Sequence, residues 1–323
     1  MGKDIRIGII GAGQMARQHL AVLSVMPKAA VAGITSRTLA KAQALADEFQ
    51  IPVCASSWQE LCRQVKPQAL MVLVSAEQTF ELVARLIPLK IPLFIEKPAG
   101  LTPQENTHLA QMARQYATPS MVGYNRRYYS VFHQGLDIIR RHGPLLGVAV
   151  EGHERFWRVE GSTQYSPAVT QNWIYANSTH TIDLLRLFGG DIEQVHVEAA
   201  AYQHPPGDQF SAVARFQGGA LGHYRAHWCS PGGWSVVLYG DGVTVEFKPL
   251  EKGQWTDRDF KAHEILPDEK DIQFKPGFYR QMEVFIQLIQ EGKGQWPMMD
   301  LASSCQTMAL AEKFAQSVVP FKG

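Results

Sequence analysis

Over the first 123 residues, apolar positions fall into short runs separated by longer segments of helical period. Ile5–Ile10, Ala30–Ile34, Ala69–Val74, Leu93–Ile95 and Ser120–Val122 have the length and composition of strands buried on both faces. Leu39–Phe49 and Phe80–Leu86, which lie between strands, repeat their apolar residues at helical spacing. Alternation of the two patterns predicts parallel βαβ winding. A helix start is written at Thr102-Pro103-Gln104-Glu105, where the threonine caps, the proline suits the first turn and the glutamate completes a capping box.

Beyond Gly143 the period shortens to two, in Leu145–Trp157, Val195–Tyr202, Phe210–Phe216 and Leu221–Cys229. These predict antiparallel strands, with hairpins at Gly218-Gly219 and Gly240-Asp241-Gly242. One helix, about Trp173–Phe188, interrupts the strands, and two more, about Phe278–Gln290 and Leu301–Ser317, close the chain. No internal repeat or low-complexity linker is present. The expected architecture is an α/β domain with a doubly wound parallel sheet over residues 1–123. An α+β domain with a mostly antiparallel open sheet follows over 124–323.

A chain of 323 residues with 46% hydrophobic and 19% charged residues is an ordinary globular composition, long enough for about two domains. With 31 basic and 30 acidic residues it has no field to recruit nucleic acid or an anionic membrane, so neither is expected as a partner. Cys54, Cys62, Cys229 and Cys305 lie far apart and form no C-x-x-C pair. The polar Met1-Gly2-Lys3-Asp4 does not read as a secretory leader. Reduced thiols and a cytoplasmic location follow as expectations. No apolar run approaches the roughly 20 residues that span a bilayer.

The glycine turn at the end of the first strand carries the strongest chemical signal. In Gly11-Ala12-Gly13-Gln14-Met15-Ala16, the first glycine permits a tight turn and the second lets backbone approach a diphosphate. Small Ala16 lets the new helix pack on the strand. The first amides of that helix lack intrahelical acceptors and favour an anion. Strand, turn and helix in this order predict a Rossmann dinucleotide site using Gly11, Ala12, Gly13, Gln14 and Met15. Where the next strand ends, at Ile34-Thr35-Ser36-Arg37, no acid is present to grip an NAD ribose. Ser36 and Arg37 offer a hydroxyl and a fork for the 2′-phosphate of NADP, against a reading of Arg37 as a solvated residue at a helix start. NADP is therefore preferred over NAD. Ser75, at the carboxyl edge after Ala69–Val74, has two readings, cofactor contact or helix cap. Glu96 and Lys97 follow Leu93–Ile95 at the same edge, as cofactor-side groups or as a solvated pair of adjacent charges. His223 and His227 share one face of a strand with no carboxylate or thiol pattern beside them, so no metal is expected.

Gly11-x-Gly13-x-x-Ala16 followed by Glu96-Lys97-Pro98 resembles the glucose-fructose oxidoreductase and inositol dehydrogenase family, Gfo/Idh/MocA. Val122-Gly123-Tyr124-Asn125-Arg126-Arg127 resembles that family's sixth strand and following loop, and His180-Thr181-Ile182-Asp183 its second-domain helix. The terminal helices fit its ending, so the likeness spans nearly the whole chain. It implies that Lys97 lies near nicotinamide and substrate, stabilising alkoxide character on the reacting oxygen, and that His180 is the acid/base. It also implies a homodimer or homotetramer formed through the exposed face of the second sheet.

His180 and Asp183 share a helical face at i, i+3 spacing. Asp183 reads as a contact to substrate hydroxyls or as a charge that biases His180 toward its protonated form, and equally as a cap on neighbouring backbone. Trp173, Tyr175, Tyr124, Asn125, Arg126 and Asn177 are the other candidates to wall a sugar-sized pocket, with core packing the competing reading for Trp173 and Tyr175. One departure stands out. Many family members place an aspartate four residues before the histidine, and this chain has Ala176 there. The functions that follow are an NAD(P)-dependent oxidoreductase of a sugar, cyclitol or nucleotide-sugar carbinol, or a catalytically silent NAD(P)-binding regulator or scaffold. A third keeps NAD tightly held for transient oxidation during glycoside cleavage.

Overall fold

The computed structural model describes residues 5–322; Met1–Asp4, read above as polar, and Gly323 lie outside the described residues. The chain forms two compact units. One contains the residues up to Asn125 together with Lys270–Cys305, the other Arg126–Glu269 and the residues from Gln306 onward. The sequence reading puts a single boundary after residue 123; a segment that returns to the first unit from late in the chain leaves no mark in hydrophobic period.

In the first unit the order is β1 (Ile5–Ile10), α1 (Gln14–Leu23), β2 (Ala29–Thr35), α2 (Leu39–Phe49), β3 (Cys54–Ala55), α3 (Trp58–Val65), β4 (Ala69–Val72), α4 (Ala76–Leu86), β5 (Leu93–Ile95), α5 (Pro103–Tyr116) and β6 (Ser120–Val122). The six strands are all parallel and lie in the order β3-β2-β1-β4-β5-β6. Strand order reverses between β1 and β4, the switch point at which open sheets of this kind bind ligands. Val72, Leu93, Ile95, Leu109 and Val122 are almost wholly buried in its core, joined by Met299 and Leu301 from the returning segment. The predicted start of α5 is realised with one change. Thr102 accepts from the Glu105 amide at 3.2 Å, while the Glu105 carboxylate accepts from the amide of Leu101 at 2.7 Å, one residue before the cap.

The second unit runs α6 (Ser130–His142), β7 (Leu145–Gly152), α7 (Phe156–Glu160), α8 (Pro167–Gln171), α9 (Thr179–Gly189), β8 (Ile192–Ala201), β9 (Gln209–Phe216) and β10 (Leu221–His227). Then come β11 (Trp234–Gly240), β12 (Val243–Phe247), β13 (Gly253–Thr256), β14 (Ala262–Ile265) and, near the end of the chain, β15 (Val318–Pro320). Its nine strands form one sheet in the order β14-β13-β12-β11-β7-β10-β9-β8-β15. The sheet is mostly antiparallel, with parallel pairs at β10·β7 and β15·β8. Both glycine signals turn hairpins, between β9 and β10 and between β11 and β12. Strict alternation of buried and exposed positions along β9 and β10 leaves one face of the sheet open. Phe132 on α6, Phe188 on α9 and Phe247 on β12 close the other face through edge and stacked ring contacts of 4.8–6.1 Å. The helices α10 (Glu269–Gln273), α11 (Phe278–Glu291) and α12 (Leu301–Gln316) complete the chain.

Two predicted spans are shorter or less regular than expected. Leu145–Trp157 is a strand only to Gly152, and Trp173–Phe188 divides into a π-helical turn, Ile174–Ser178, and α9. Such single wide turns recur at functional sites, because the extra residue redirects side chains that a regular helix would aim elsewhere.

Candidate active site

In the first unit the glycine turn is shaped by backbone alone. Gly11 adopts φ +119° and donates its amide to the Thr35 carbonyl at 2.8 Å, and a Cβ there would collide with the Leu73 carbonyl oxygen. Gly13 opens α1 with no side chain capping it, and a Cβ on it would meet nothing within 4 Å. Uncapped amides facing open space suit a diphosphate, and the first turn of α1 carries no acidic residue to repel one. Ala12 and Met15 are half-buried and Gln14 exposed around this turn. The sequence reading missed Lys275, whose Nζ lies 3.4 Å from Met15 Sδ and 4.8 Å from the Phe278 ring centroid. It stands in a loop more than 250 residues from the turn, so no local motif announces it.

At the carboxyl edge of the same sheet, Ser36 is half-buried and Arg37 exposed after β2. Ser75 occupies the cap position of α4, yet its hydroxyl makes no cap bond. Glu96 is turned toward His19, with Oε2 3.5 Å from Nε2. His19 is fully buried, stacked on Phe278 at 4.4 Å and edge-on to Phe94 at 4.9 Å. Gly123 makes room for this arrangement, since a Cβ there would stand 3.0 Å from Glu96 Oε2. Lys97 follows, half-buried at the end of β5. Tyr124 and Asn125, both expected among substrate contacts, follow β6 in the same unit. Tyr124 is 2% exposed within the core of this unit, and the Asn125 amide donates to the Pro276 carbonyl at 3.1 Å.

The second unit gathers side chains from four distant stretches. Arg126 Nη1 lies 2.7 Å from His180 Nε2. A guanidinium only donates, so in this contact the ring nitrogen is placed as the acceptor. The same guanidinium lies over the Trp234 ring at 4.8 Å, and the His180 and Trp234 rings are 6.0 Å apart. Asp183, expected to reach substrate or to cap backbone, has another occupation. Its two oxygens take Arg127 Nε at 2.7 Å and Nη2 at 2.8 Å, and Thr307 Oγ1 at 2.9 Å, with only 1% of the residue exposed. This is a buried bidentate ion pair that fixes the loop carrying Arg126 to the helix carrying His180.

Glu154, which no pattern singled out, is a buried carboxylate just past β7. Both its oxygens accept from Asn177 Nδ2 at 3.0 Å, and Oε1 also takes the Ser178 hydroxyl at 3.0 Å. The π-helical turn is what presents two successive side chains to one acid. Trp173 is packed against Phe156 and Tyr165, the reading of it as core. Tyr175 is half-buried; desolvation, and then the charge of Glu312, hold its phenol above the ordinary range and so protonated. His223 and His227 lie on β10, and among the described residues no three His, Cys, Asp or Glu side chains gather as a metal set. No helix of the described residues is long and apolar enough to cross a membrane.

Residues 5–124 match the model of the oxidoreductase family with an NAD-binding Rossmann fold, and residues 147–246 match the GFO/IDH/MocA C-terminal domain. An uncharacterised oxidoreductase of Bacillus subtilis is 23% identical over 233 residues, covering 68% of this chain and 66% of that protein. An inositol 2-dehydrogenase of Pseudarthrobacter chlorophenolicus is 26% identical over 220 residues, covering 64% of this chain and 63% of its own. These matches therefore span just under two thirds of either relative. The solved structure of levoglucosan dehydrogenase in complex with NADH superposes with a TM-score of 0.83 at 16% identity, covering 98% of this chain and 97% of that one. A parallel sheet opened by an uncapped glycine turn, a mixed nine-stranded sheet after it, and matches to both domain models lead to one assignment: the chain belongs to the Gfo/Idh/MocA oxidoreductase family.

Proposed function

We propose that this protein is an NAD(P)-dependent oxidoreductase that moves hydride between nicotinamide and a secondary alcohol or ketone of a sugar, cyclitol or nucleotide-sugar. The observation that carries the reading is the placement of His180 Nε2 as acceptor toward Arg126 Nη1 at 2.7 Å. A substrate hydroxyl takes the place of the guanidinium N–H at that nitrogen. As the carbinol C–H bond breaks, the O–H bond breaks too, and its proton ends on Nε2, leaving an imidazolium and a carbonyl. Bound nicotinamide supplies the hydride acceptor at C4. Lys97 is assigned the substrate oxygen, where an ammonium stabilises alkoxide character. The Gly11–Met15 turn holds the diphosphate, with Glu96 and Ser75 on the cofactor side and Tyr175 and Asn177 around the substrate.

Ser36 and Arg37 at the end of β2 support NADP over NAD. Arg37→Ala then raises the Kd for NADP about tenfold and leaves that for NAD unchanged. The open sheet face, with Val213, Leu221 and Tyr239 exposed on it, supports a homodimer or homotetramer, which sedimentation would count. Turnover of a keto-sugar and polyol panel with NADPH or NADP⁺ tests the whole reading. Lys97→Ala and His180→Ala each lower kcat/KM about 10²–10⁴-fold; full activity in both variants would refute the roles. Ala176 favours a second reading, a silent regulator. Tight NADP binding without oxidation of any sugar, together with a partner recovered by pull-down, would select it.

A further inference from the structure

Helix α1 carries one buried side chain that packing alone does not explain. Its other buried positions, Ala16, Leu20, Val22 and Leu23, are apolar, whereas His19 is polar and wholly enclosed. The imidazole is stacked on Phe278 at 4.4 Å and edge-on to Phe94 at 4.9 Å. Neither of its ring nitrogens has a hydrogen-bond partner among the described residues. A methionine or leucine would fill the same space without burying two polar atoms, so the imidazole costs stability where it stands.

What it faces is Glu96, whose Oε2 lies 3.5 Å from Nε2, a close contact rather than a full hydrogen bond. Between aromatic rings little water is present to screen such a contact, which strengthens it. Backbone fixes the chain on either side of the acid's own side chain. The Glu96 amide donates to the Val72 carbonyl at 2.9 Å, and the Gly123 amide to the Ile95 carbonyl at 2.8 Å. The carboxylate itself is bounded by His19 and by Gly123, where a Cβ would stand 3.0 Å from Oε2. Lys97 is the next residue along the chain.

We infer that His19 is a positioning residue for hydride transfer: it holds the Glu96 carboxylate and thereby fixes the turn that carries Lys97. This role rests on the oxidoreductase reading above. His19 stands in the second turn of the helix whose first amides are assigned the diphosphate, about 7.5 Å along the axis from Gln14. One rigid element thus sets both the cofactor and the lysine that meets the substrate oxygen.

Substitutions separate position from packing. His19→Met keeps the volume between the rings and removes the polar atoms, while His19→Gln restores a donor toward Glu96. Melts, cofactor Kd and kinetics are measured with myo-inositol, D-glucose and D-sorbitol, each with NAD⁺ and NADP⁺. His19→Met is expected to melt at or above the wild-type temperature, with Kd and KM within about threefold, while kcat falls about 10–100-fold. His19→Gln returns kcat to within about threefold of wild type. Gly123→Ala crowds the same carboxylate from another residue and lowers kcat about tenfold. Because His19 acts through Glu96, His19→Met combined with Glu96→Gln is no slower than the slower single variant. An unchanged kcat in His19→Met overturns the role, and so does a loss in both His19 variants that follows a fall in melting temperature.

Lysine acetylation mapped by peptide mass gives a readout that needs no turnover. The rate at Lys97 relative to exposed Lys90 is expected to change at least about threefold in His19→Met and to return in His19→Gln. If no substrate turns over and this ratio still moves, the oxidoreductase reading fails while the positioning of Lys97 stands. An unmoved ratio overturns the role of His19 with or without turnover.

Discussion

The two units build their binding surfaces in opposite ways. In the first, Gly11 and Gly13 shape the turn by what they lack, and the donors are backbone amides from one stretch of chain. In the second, Arg126, Glu154, His180 and Trp234 come from stretches separated by tens of residues, and every contact is made by a side chain. A backbone site tolerates change in almost any neighbour and none in its glycines. A side-chain site depends on partners that have to be held in place, and here a buried ion pair holds them.

The sharpest test of that contrast is in the turn itself. Gly11→Ala forces a Cβ onto the Leu73 carbonyl at a φ that L-residues rarely adopt, so neither neighbour nor backbone can yield cheaply. We expect loss of soluble folded protein, or cofactor affinity reduced more than 100-fold where it folds. Gly13→Ala meets open space, so its melting temperature stays within about 2 °C of wild type while cofactor affinity falls about tenfold. Thermal melts and cofactor titrations on the two variants separate shape from stability. Equal behaviour would mean that the turn is not the binding element.

In the second unit the largest effect falls on the ion pair. Asp183→Asn leaves the Arg127 guanidinium buried without its counter-charge and costs about 3–5 kcal/mol in urea unfolding. Replacing both partners, Arg127→Met with Asp183→Leu, removes the charge together with its counter-charge and is expected to cost less than Asp183→Asn alone. A double variant worse than the single would show that the pair is not what fixes this loop to α9.

Asp208 gives a pH-dependent counterpart in the loop between β8 and β9. Desolvation alone would raise its carboxyl. The amides of Gln203, His204 and Tyr202 and the side chain of Gln209 outweigh that and hold it below the ordinary range. A depressed folded-state pKa contributes stability that is present above the unfolded value of about 3.9 and lost as pH falls through the folded value. Asp208→Asn should therefore lower stability by about 1–3 kcal/mol at pH 6 and flatten the decline between pH 4 and lower pH. An unchanged acid limb would dismiss the carboxylate as the cause.

The same division explains what could be read in advance. The β5 and β6 boundaries and the hairpin glycines follow from local period and local turn chemistry, and so does the glycine turn. His180 was nameable as an acid/base only through family likeness, and Arg126 only as one of several residues in a loop at a strand end. Their meeting at 2.7 Å depends on the loop after β6 and the first turn of α9, and no spacing in the chain encodes it. Asp183 shows the cost of reading a helical face without its partners. An acid three residues from a histidine looks like a site, but Arg127 and Thr307, which claim it, lie 56 residues before it and 124 after it. Glu154 and Lys275 were missed for the same reason, since an isolated acid or lysine in a loop has no periodic context to raise it above the many that are merely solvated.

The smallest effects sharpen the reading of the parallel sheet's carboxyl edge, where Ser75 and Thr102 occupy equivalent cap positions with different contacts. Thr102 accepts from the Glu105 amide, so Thr102→Ala should cost about 1 kcal/mol. Ser75 makes no such bond, and Ser75→Ala should cost only a few tenths of that. The same Ser75→Ala variant then isolates the hydroxyl's other role. A weakening of NADP binding by about threefold with stability unchanged assigns the hydroxyl to the cofactor, since its loss cannot act through the helix. If instead stability falls as far as in Thr102→Ala and binding is untouched, the serine is a cap and the cofactor-binding edge of the sheet loses one of its members.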